Sequence, residues 1–306
     1  MRNPLLSLLT AGVATSPAVC PDLPEEADGL PTIGAAPCEG AACRACTDVC
    51  PTAAIQVRSD AAGGVVALDR GHCIGCGECL RVCPTGTLSP DRSTRTAVRH
   101  REELVLSNRG RGGPLGERSS AIHRDEQDEQ DESGPDINRH LVYPGSPVHP
   151  VNAEAGPERL QPGLFRRSLH VREVSTGCSA TDQEVAAATN PLFDVARFGV
   201  HFVASPRFAD ALLVTGPVGR SMQSPLRRCY EAMAEPRLVI AVGTCGISGG
   251  LFRDGYADAQ GVEAILPVDV YVPGCPPHPW SIIHGILLAM GRRVERRPVE
   301  ISYPQG

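Results

Sequence analysis

The sequence lacks lysine, an excess of positive charge and any apolar run of membrane-spanning length. All 29 basic residues are arginine, which we attribute to genomic base composition, and they stand against 35 acidic residues. A nucleic-acid-binding protein needs a basic face, which a formal net charge of -6 does not favour. A membrane span needs about 20 apolar residues. We therefore expect a soluble chain that meets a membrane only through other proteins.

Residues 1–19 have the outline of a signal peptide but lack its charged start. An exported chain would also bring its many free thiols into an oxidising compartment, so we favour a cytoplasmic protein. The spacing of Leu5, Leu8, Leu9 and Val13 instead predicts a short amphipathic helix. Such a helix packs either on its own domain or on a membrane-embedded partner.

Eight of the thirteen cysteines fall into two runs that end alike, in C-x3-C-P. The downstream run reads C-x2-C-x2-C-x3-C-P and comprises Cys73, Cys76, Cys79 and Cys83. The upstream run has a first gap of four residues and comprises Cys38, Cys43, Cys46 and Cys50. This spacing is typical of 4Fe-4S ligands, with the last cysteine serving the neighbouring cluster. Zinc is the alternative, but the paired Cys-Pro endings argue against it.

Each cysteine run is followed by the pattern of a short helical turn and a strand, which indicates an internal duplication. With this duplication, residues 37–90 resemble the two-cluster ferredoxins. The resemblance implies two 4Fe-4S clusters with exchanged fourth ligands. One cluster would take Cys38, Cys43, Cys46 and Cys83. The other would take Cys73, Cys76, Cys79 and Cys50.

The remaining chain contains a loose segment and then a second domain. Residues 125–132 are an acidic stretch without an apolar side chain to bury, typical of a disordered linker. Beyond residue 160, apolar runs at 200–204, 211–215, 238–242 and 268–272 alternate with helical stretches such as 217–233 and 277–290. This alternation predicts an α/β fold, a doubly wound, flavodoxin-like parallel sheet with helices on both faces.

Two cysteines follow predicted strands directly. Cys245 comes after the run at 238–242, and Cys275 after the run at 268–272. Ligands of doubly wound sheets bind at the carboxyl ends of the strands, so we expect these thiols to converge. With Cys178 upstream, they indicate a third cluster site. A single cysteine is more often a small buried hydrophobe.

Several motifs of this region resemble the small subunit of group 4 membrane-bound nickel–iron hydrogenases (formate hydrogenlyase type) and the 20 kDa quinone-site subunit of complex I. They lie within residues 165–171, 190–199, 204–210, 213–217, 249–252 and 268–277. The chain thus resembles a fusion of two neighbouring subunits. We predict a lead at 1–36, a ferredoxin-type domain at 37–92, a partly disordered linker at 93–158 and the small-subunit-like domain at 159–306.

The resemblance implies a proximal cluster with Cys178, Cys245 and Cys275 as three ligands. Thr181 stands where the hydrogenase pattern has its second cysteine, and Glu184 matches a glutamate that the family uses in proton movement. Because thiolate is the preferred ligand, three outcomes stay open. They are a 4Fe-4S cluster with an oxygen ligand from Thr181, Asp182 or water, a 3Fe-4S cluster, and an empty site. Cys229 could supply a thiol only if the fold brings it near.

The implied function is electron transfer through these clusters, to or from a large catalytic subunit. The resemblance also implies membrane subunits as partners, with the chain on the inner face of the cell membrane. The spacing from Cys178 to Glu184 favours the hydrogenase type over a complex I-like NADH-quinone oxidoreductase, which uses adjacent cysteines. The remaining alternative is a structural or assembly subunit with a vestigial third site.

Overall fold

A computed structural model describes residues 15–16, 18–60, 63–108, 164–292 and 294. The predicted N-terminal helix, residues 109–158 of the predicted linker and the first five residues of the predicted second domain lie outside these ranges. Among the described residues, no helix has the length and apolar character that crossing a membrane would require.

The first lobe is built on the duplicated plan that the sequence predicts. Its strands are β1 (Leu30–Ile33), β2 (Ile55–Asp60), β3 (Gly63–Asp69), β4 (Leu88–Asp91) and β5 (Val105–Ser107). Its helices are α1 (Ala45–Val49) and α2 (Glu78–Val82). β1 pairs with β4 and β3 pairs with both β2 and β5, all antiparallel. Each helix contains the third cysteine of its run and ends just before the fourth.

The second lobe is a five-stranded parallel sheet in the order β10-β9-β8-β6-β7. Its strands are β6 (Leu169–Ser175), β7 (Val200–Phe202), β8 (Ala211–Thr215), β9 (Leu238–Val242) and β10 (Val270–Val272). Its helices are α3 (Ser179–Ala188), α4 (Arg220–Glu231), α5 (Thr244–Ser248) and α6 (Pro279–Ala289). Counted along the chain, the strand order is 2-1-3-4-5, so the flavodoxin-like prediction is confirmed.

Apolar side chains cover both faces of this sheet. β8 and β9 are buried along their whole length, which explains their uninterrupted apolar sequence. One face packs against α3 and α6, with Ile282 and Ile286 at its centre. The opposite face packs against α4 and Leu266. These layers hold the ends of the strands, and hence the cysteines after them, in fixed positions.

The lobes are connected by residues 94–104, which we call the connecting segment. Its Val98 forms an antiparallel bridge to Tyr271 at the edge of the sheet. Ala97 is buried in one face of the sheet lobe and Leu104 in the other. The chain then returns to the first lobe as β5. The first residues of the predicted linker therefore contain ordered, buried structure, because their few apolar side chains find partners on both lobes.

Candidate iron–sulfur sites

The first lobe brings Cys38, Cys43 and Cys46 together with Cys83 from the other run. Burial raises the pKa of Cys46, and the nearby thiols of Cys83, Cys38 and Cys43 raise it further. Cys83 reaches this group because α1 and α2 pack against each other. The fold thus places Cys83 near the cysteines of the upstream run, as the crossed grouping would require.

The second group comprises Cys73, Cys76 and Cys79 with Cys50 from the upstream run, and its thiols line one cavity. Burial, together with the charges of Cys73, Cys76 and Cys50, raises the pKa of Cys79 to about 12. Burial raises the pKa of Cys73 to about 11. Cys79 also experiences the charge of Cys46, a member of the first group, so the two groups are neighbours.

Backbone amides point at several of these sulfurs. The N–H of Gly40 lies 3.4 Å from Cys38 Sγ, and the N–H of Gly75 lies 3.4 Å from Cys73 Sγ. Both glycines have positive φ, a backbone conformation that glycine adopts without a Cβ clash. Such hydrogen bonds set the reduction potential of iron–sulfur clusters. The donor set and its amides therefore fit 4Fe-4S clusters.

A charge network that sequence reasoning missed lies just before Cys73. The buried carboxylate of Asp69 accepts hydrogen bonds from the Gly71 N–H (2.8 Å) and from both terminal nitrogens of Arg101 (2.9 and 2.8 Å). Asp69 Oδ2 also lies 2.5 Å from His72 Nδ1. Burial alone would raise the pKa of Asp69, but the bonds to His72 and Arg101 lower it. The network fixes the turn that leads into the second group.

Cys178, Cys245 and Cys275 form the third group, beyond the carboxyl ends of β6, β9 and β10. Burial raises the pKa of Cys245 to about 11, with contributions from the charges of Cys275 and Cys178. Burial and the charge of Cys178 also raise the pKa of Cys275. A Cβ added to Gly250 would lie 2.8 Å from Cys245 Sγ. Glycine is thus required for the loop to approach this thiol.

Thr181, which the resemblance matches to the second cysteine of the hydrogenase pattern, lies next to Cys178. Its side chain is buried, and its Oγ1 lies 3.2 Å from Cys178 Sγ. Asp182 is engaged elsewhere, because its two carboxylate oxygens accept hydrogen bonds from the hydroxyl groups of Ser175 and Thr215. Glu184 lies half-buried on α3, and burial raises its pKa.

Two further cysteines lie apart from the three groups. Cys229 is in the last turn of α4, at the margin of the apolar layer on one face of the sheet. Since α4 runs back from the carboxyl ends of the strands, this turn lies towards the opposite edge of the sheet from the third group. Cys20 is buried against α6, where its thiol donates a hydrogen bond to the Trp280 carbonyl.

The fold and its cysteine groups define an iron–sulfur protein that combines a dicluster lobe with a flavodoxin-like lobe. Two family models match, the 4Fe-4S dicluster domain over residues 38–87 and the 20 Kd subunit of NADH ubiquinone oxidoreductase over residues 178–289. The chain belongs to the 20 kDa subunit family, whose relatives compared below are named as subunits of oxidoreductase complexes. The sequence-based resemblance is confirmed.

Similar proteins come from both branches of this family. Formate hydrogenlyase subunit 7 of Escherichia coli is 46% identical over 128 residues, 42% of this chain and 50% of that protein. A probable membrane-bound hydrogenase subunit, mbhJ of Pyrococcus furiosus, is 41% identical over 46% of this chain and 84% of its own length. An NADH-quinone oxidoreductase subunit of Mycobacterium tuberculosis is 45% identical over 47% of this chain and 77% of its own length. The chain thus spans only half of the formate hydrogenlyase subunit.

Proposed function

We propose that the chain is the electron-transfer subunit of a membrane-associated, hydrogenase-like oxidoreductase complex and carries three clusters in series. The observation behind this proposal is the succession of three neighbouring thiol groups. Cys46 of the first group and Cys79 of the second interact electrostatically. The Thr244 hydroxyl, next to Cys245 of the third group, donates to the Cys73 carbonyl of the second group at 2.7 Å.

The proposed ligands of the two ferredoxin-type clusters follow the crossed groups. Cys38, Cys43, Cys46 and Cys83 hold the first cluster. Cys73, Cys76, Cys79 and Cys50 hold the second. When bound, each cluster supplies a site that gains and loses one electron. The chain fixes the spacing of these sites, excludes water with its apolar side chains and directs amide dipoles at the sulfurs.

The third site is proposed to hold a 4Fe-4S cluster on Cys178, Cys245 and Cys275. The convergence of these three thiols supports a cluster, and the burial of Thr181 beside Cys178 supports an oxygen ligand or a water at the fourth iron. Asp182 is the weaker candidate because both of its oxygens already accept hydrogen bonds. A 3Fe-4S cluster would leave the corner at Thr181 vacant.

The hydrogenase type is favoured by the six-residue spacing from Cys178 to Glu184. Overall identity does not separate the two branches, since the formate hydrogenlyase and NADH-quinone oxidoreductase relatives are 46% and 45% identical to this chain. In either type, a large catalytic subunit would contact the third site, and membrane subunits would hold the chain at the inner face of the membrane. Glu184, half-buried on α3, would take part in proton movement at that contact.

The test is a series of single variants of the full chain, purified anaerobically, with iron content and EPR of the reduced protein as readouts. Cys46→Ser and Cys79→Ser should each lose one cluster, about four irons, and a different EPR signal. Cys229→Ser is the matched control and should keep all its iron. Glu184→Gln should also keep its iron but slow proton-coupled turnover in the assembled complex. Equal iron in all variants would overturn the proposed ligand sets.

A further inference from the structure

Two buried hydrogen bonds join the two lobes at the loop that leads into the second thiol group. Thr244 Oγ1 donates to the Cys73 carbonyl at 2.7 Å, and Ser248 Oγ donates to the Gly71 carbonyl at 2.8 Å. Both hydroxyl groups belong to α5, the helical turn that contains Cys245, and both side chains are buried. The helical turn of the third site therefore holds the chain at Gly71 and at Cys73, and Cys73 belongs to the second thiol group.

Thr244 is the junction of three loops. Its hydroxyl reaches Cys73, and its backbone N–H donates to the Gly274 carbonyl at 2.9 Å, one residue before Cys275. Its carbonyl carbon is bonded to the nitrogen of Cys245. From the other side, the Asp69–Arg101 network fixes the same Cys73 turn through the Gly71 N–H.

We infer that Thr244 and Ser248 are positioning residues that hold the Cys73 loop against the third site and make it the point where electrons pass between the lobes. This inference rests on the proposed function. The transfer moves one electron, so that one group is oxidised by one electron and the other is reduced by one, and no atom moves. One connection runs from Cys73 through a single hydrogen bond to Thr244 and then to its neighbour Cys245.

Variants at Thr244 separate the hydroxyl from the shape of the side chain. Thr244→Val keeps the shape and removes the donor, whereas Thr244→Ser keeps the donor. Thr189→Val is a matched control, because it removes a hydroxyl-to-carbonyl bond of 2.7 Å at the end of α3. Ser248→Ala tests the second bond. In each variant, hydrogen exchange at the amides of His72 and Cys73 reports how firmly the turn is held. This readout does not depend on whether the third site contains a cluster.

We expect Thr244→Val and Ser248→Ala to exchange these amides about fivefold faster. Thr244→Ser and Thr189→Val should match the wild type. In the reduced, iron-loaded chain, Thr244→Val should also weaken the spin-relaxation enhancement between the second and third clusters. Equal exchange in Thr244→Val and Thr244→Ser would overturn the positioning role. Faster exchange in Thr244→Val together with about eight irons per chain would preserve the positioning role. The same result would overturn electron transfer between the lobes and count against the proposed third cluster.

Discussion

At the residue scale, Thr181 decides the character of the third site. Its hydroxyl is neutral and buried at 3.2 Å from Cys178 Sγ, where the hydrogenase pattern has a thiolate. A negative thiolate donates more charge to iron than a neutral hydroxyl group does. The cluster that we propose for this site would therefore be held weakly at the iron nearest Thr181.

Restoring the thiol should change that corner in a measurable way. In Thr181→Cys we expect the same four irons at this site as in the proposed wild-type cluster, about twelve per chain. We also expect a lower reduction potential, because an added negative ligand favours the more oxidised state. Iron analysis and a redox titration followed by EPR give both values. Thr181→Ser, the control, should resemble the wild type. A Thr181→Cys protein with an unchanged reduction potential would show that this position does not face the cluster.

The ferredoxin resemblance, which rests on the spacing of the cysteines, implies the composition of the first two ligand groups. The residues that support the groups could not be predicted in this way. Arg101 lies 32 positions after its partner Asp69, and only the fold shows that they meet. The repeated Cys-Pro-Thr sequence was a signal in the sequence for one pair of supporting residues. Thr52 and Thr85 both place a hydroxyl 3.7 Å from the cysteine two residues before them.

At the scale of elements, continuous apolar runs predict β8 and β9 with their full lengths, since both strands are buried on two sides. β6 was missed, although it lies between two other strands of the sheet, because His170, Arg172 and Glu173 interrupt its apolar pattern. The connecting segment was missed for a related reason. Its few apolar residues are separated by arginines, and their burial depends on contacts with distant parts of the chain.

The connecting segment contains a pH-sensitive contact. The Ala97 N–H donates to His284 Nδ1 at 3.2 Å on α6. Burial, with a contribution from the charge of Arg95, lowers the pKa of His284 to about 4. An unfolded histidine has a pKa of about 6.5. Because the folded pKa is the lower one, this contribution to stability is complete above pH 6.5 and is lost as the pH falls towards 4.

Acidification from pH 7 to pH 5 should therefore lower the free energy of unfolding by about 2 kcal/mol through His284. His284→Asn can keep an acceptor for the Ala97 N–H but does not titrate. Between pH 7 and pH 5, the free energy of unfolding of His284→Asn should therefore fall by about 2 kcal/mol less than that of the wild type. Denaturant unfolding at the two pH values measures the difference. Equal losses in the wild type and His284→Asn would contradict the assignment.

At the scale of the whole molecule, two lobes that match separate family models are joined in one chain, and we propose that they form one electron-transfer path. The relatives compared above align with 42–47% of this chain, whereas the dicluster domain occupies residues 38–87. Joining both lobes in one chain fixes the ratio of the clusters. The buried hydroxyl groups of α5 hold the two lobes in contact with each other.

The central claim is that this path contains three clusters. Iron analysis with EPR spin quantitation of the anaerobically purified, fully reduced wild-type chain tests it most directly. We predict about twelve irons per chain and three spin systems, four irons for each cluster. About eight irons with two spin systems would contradict the claim.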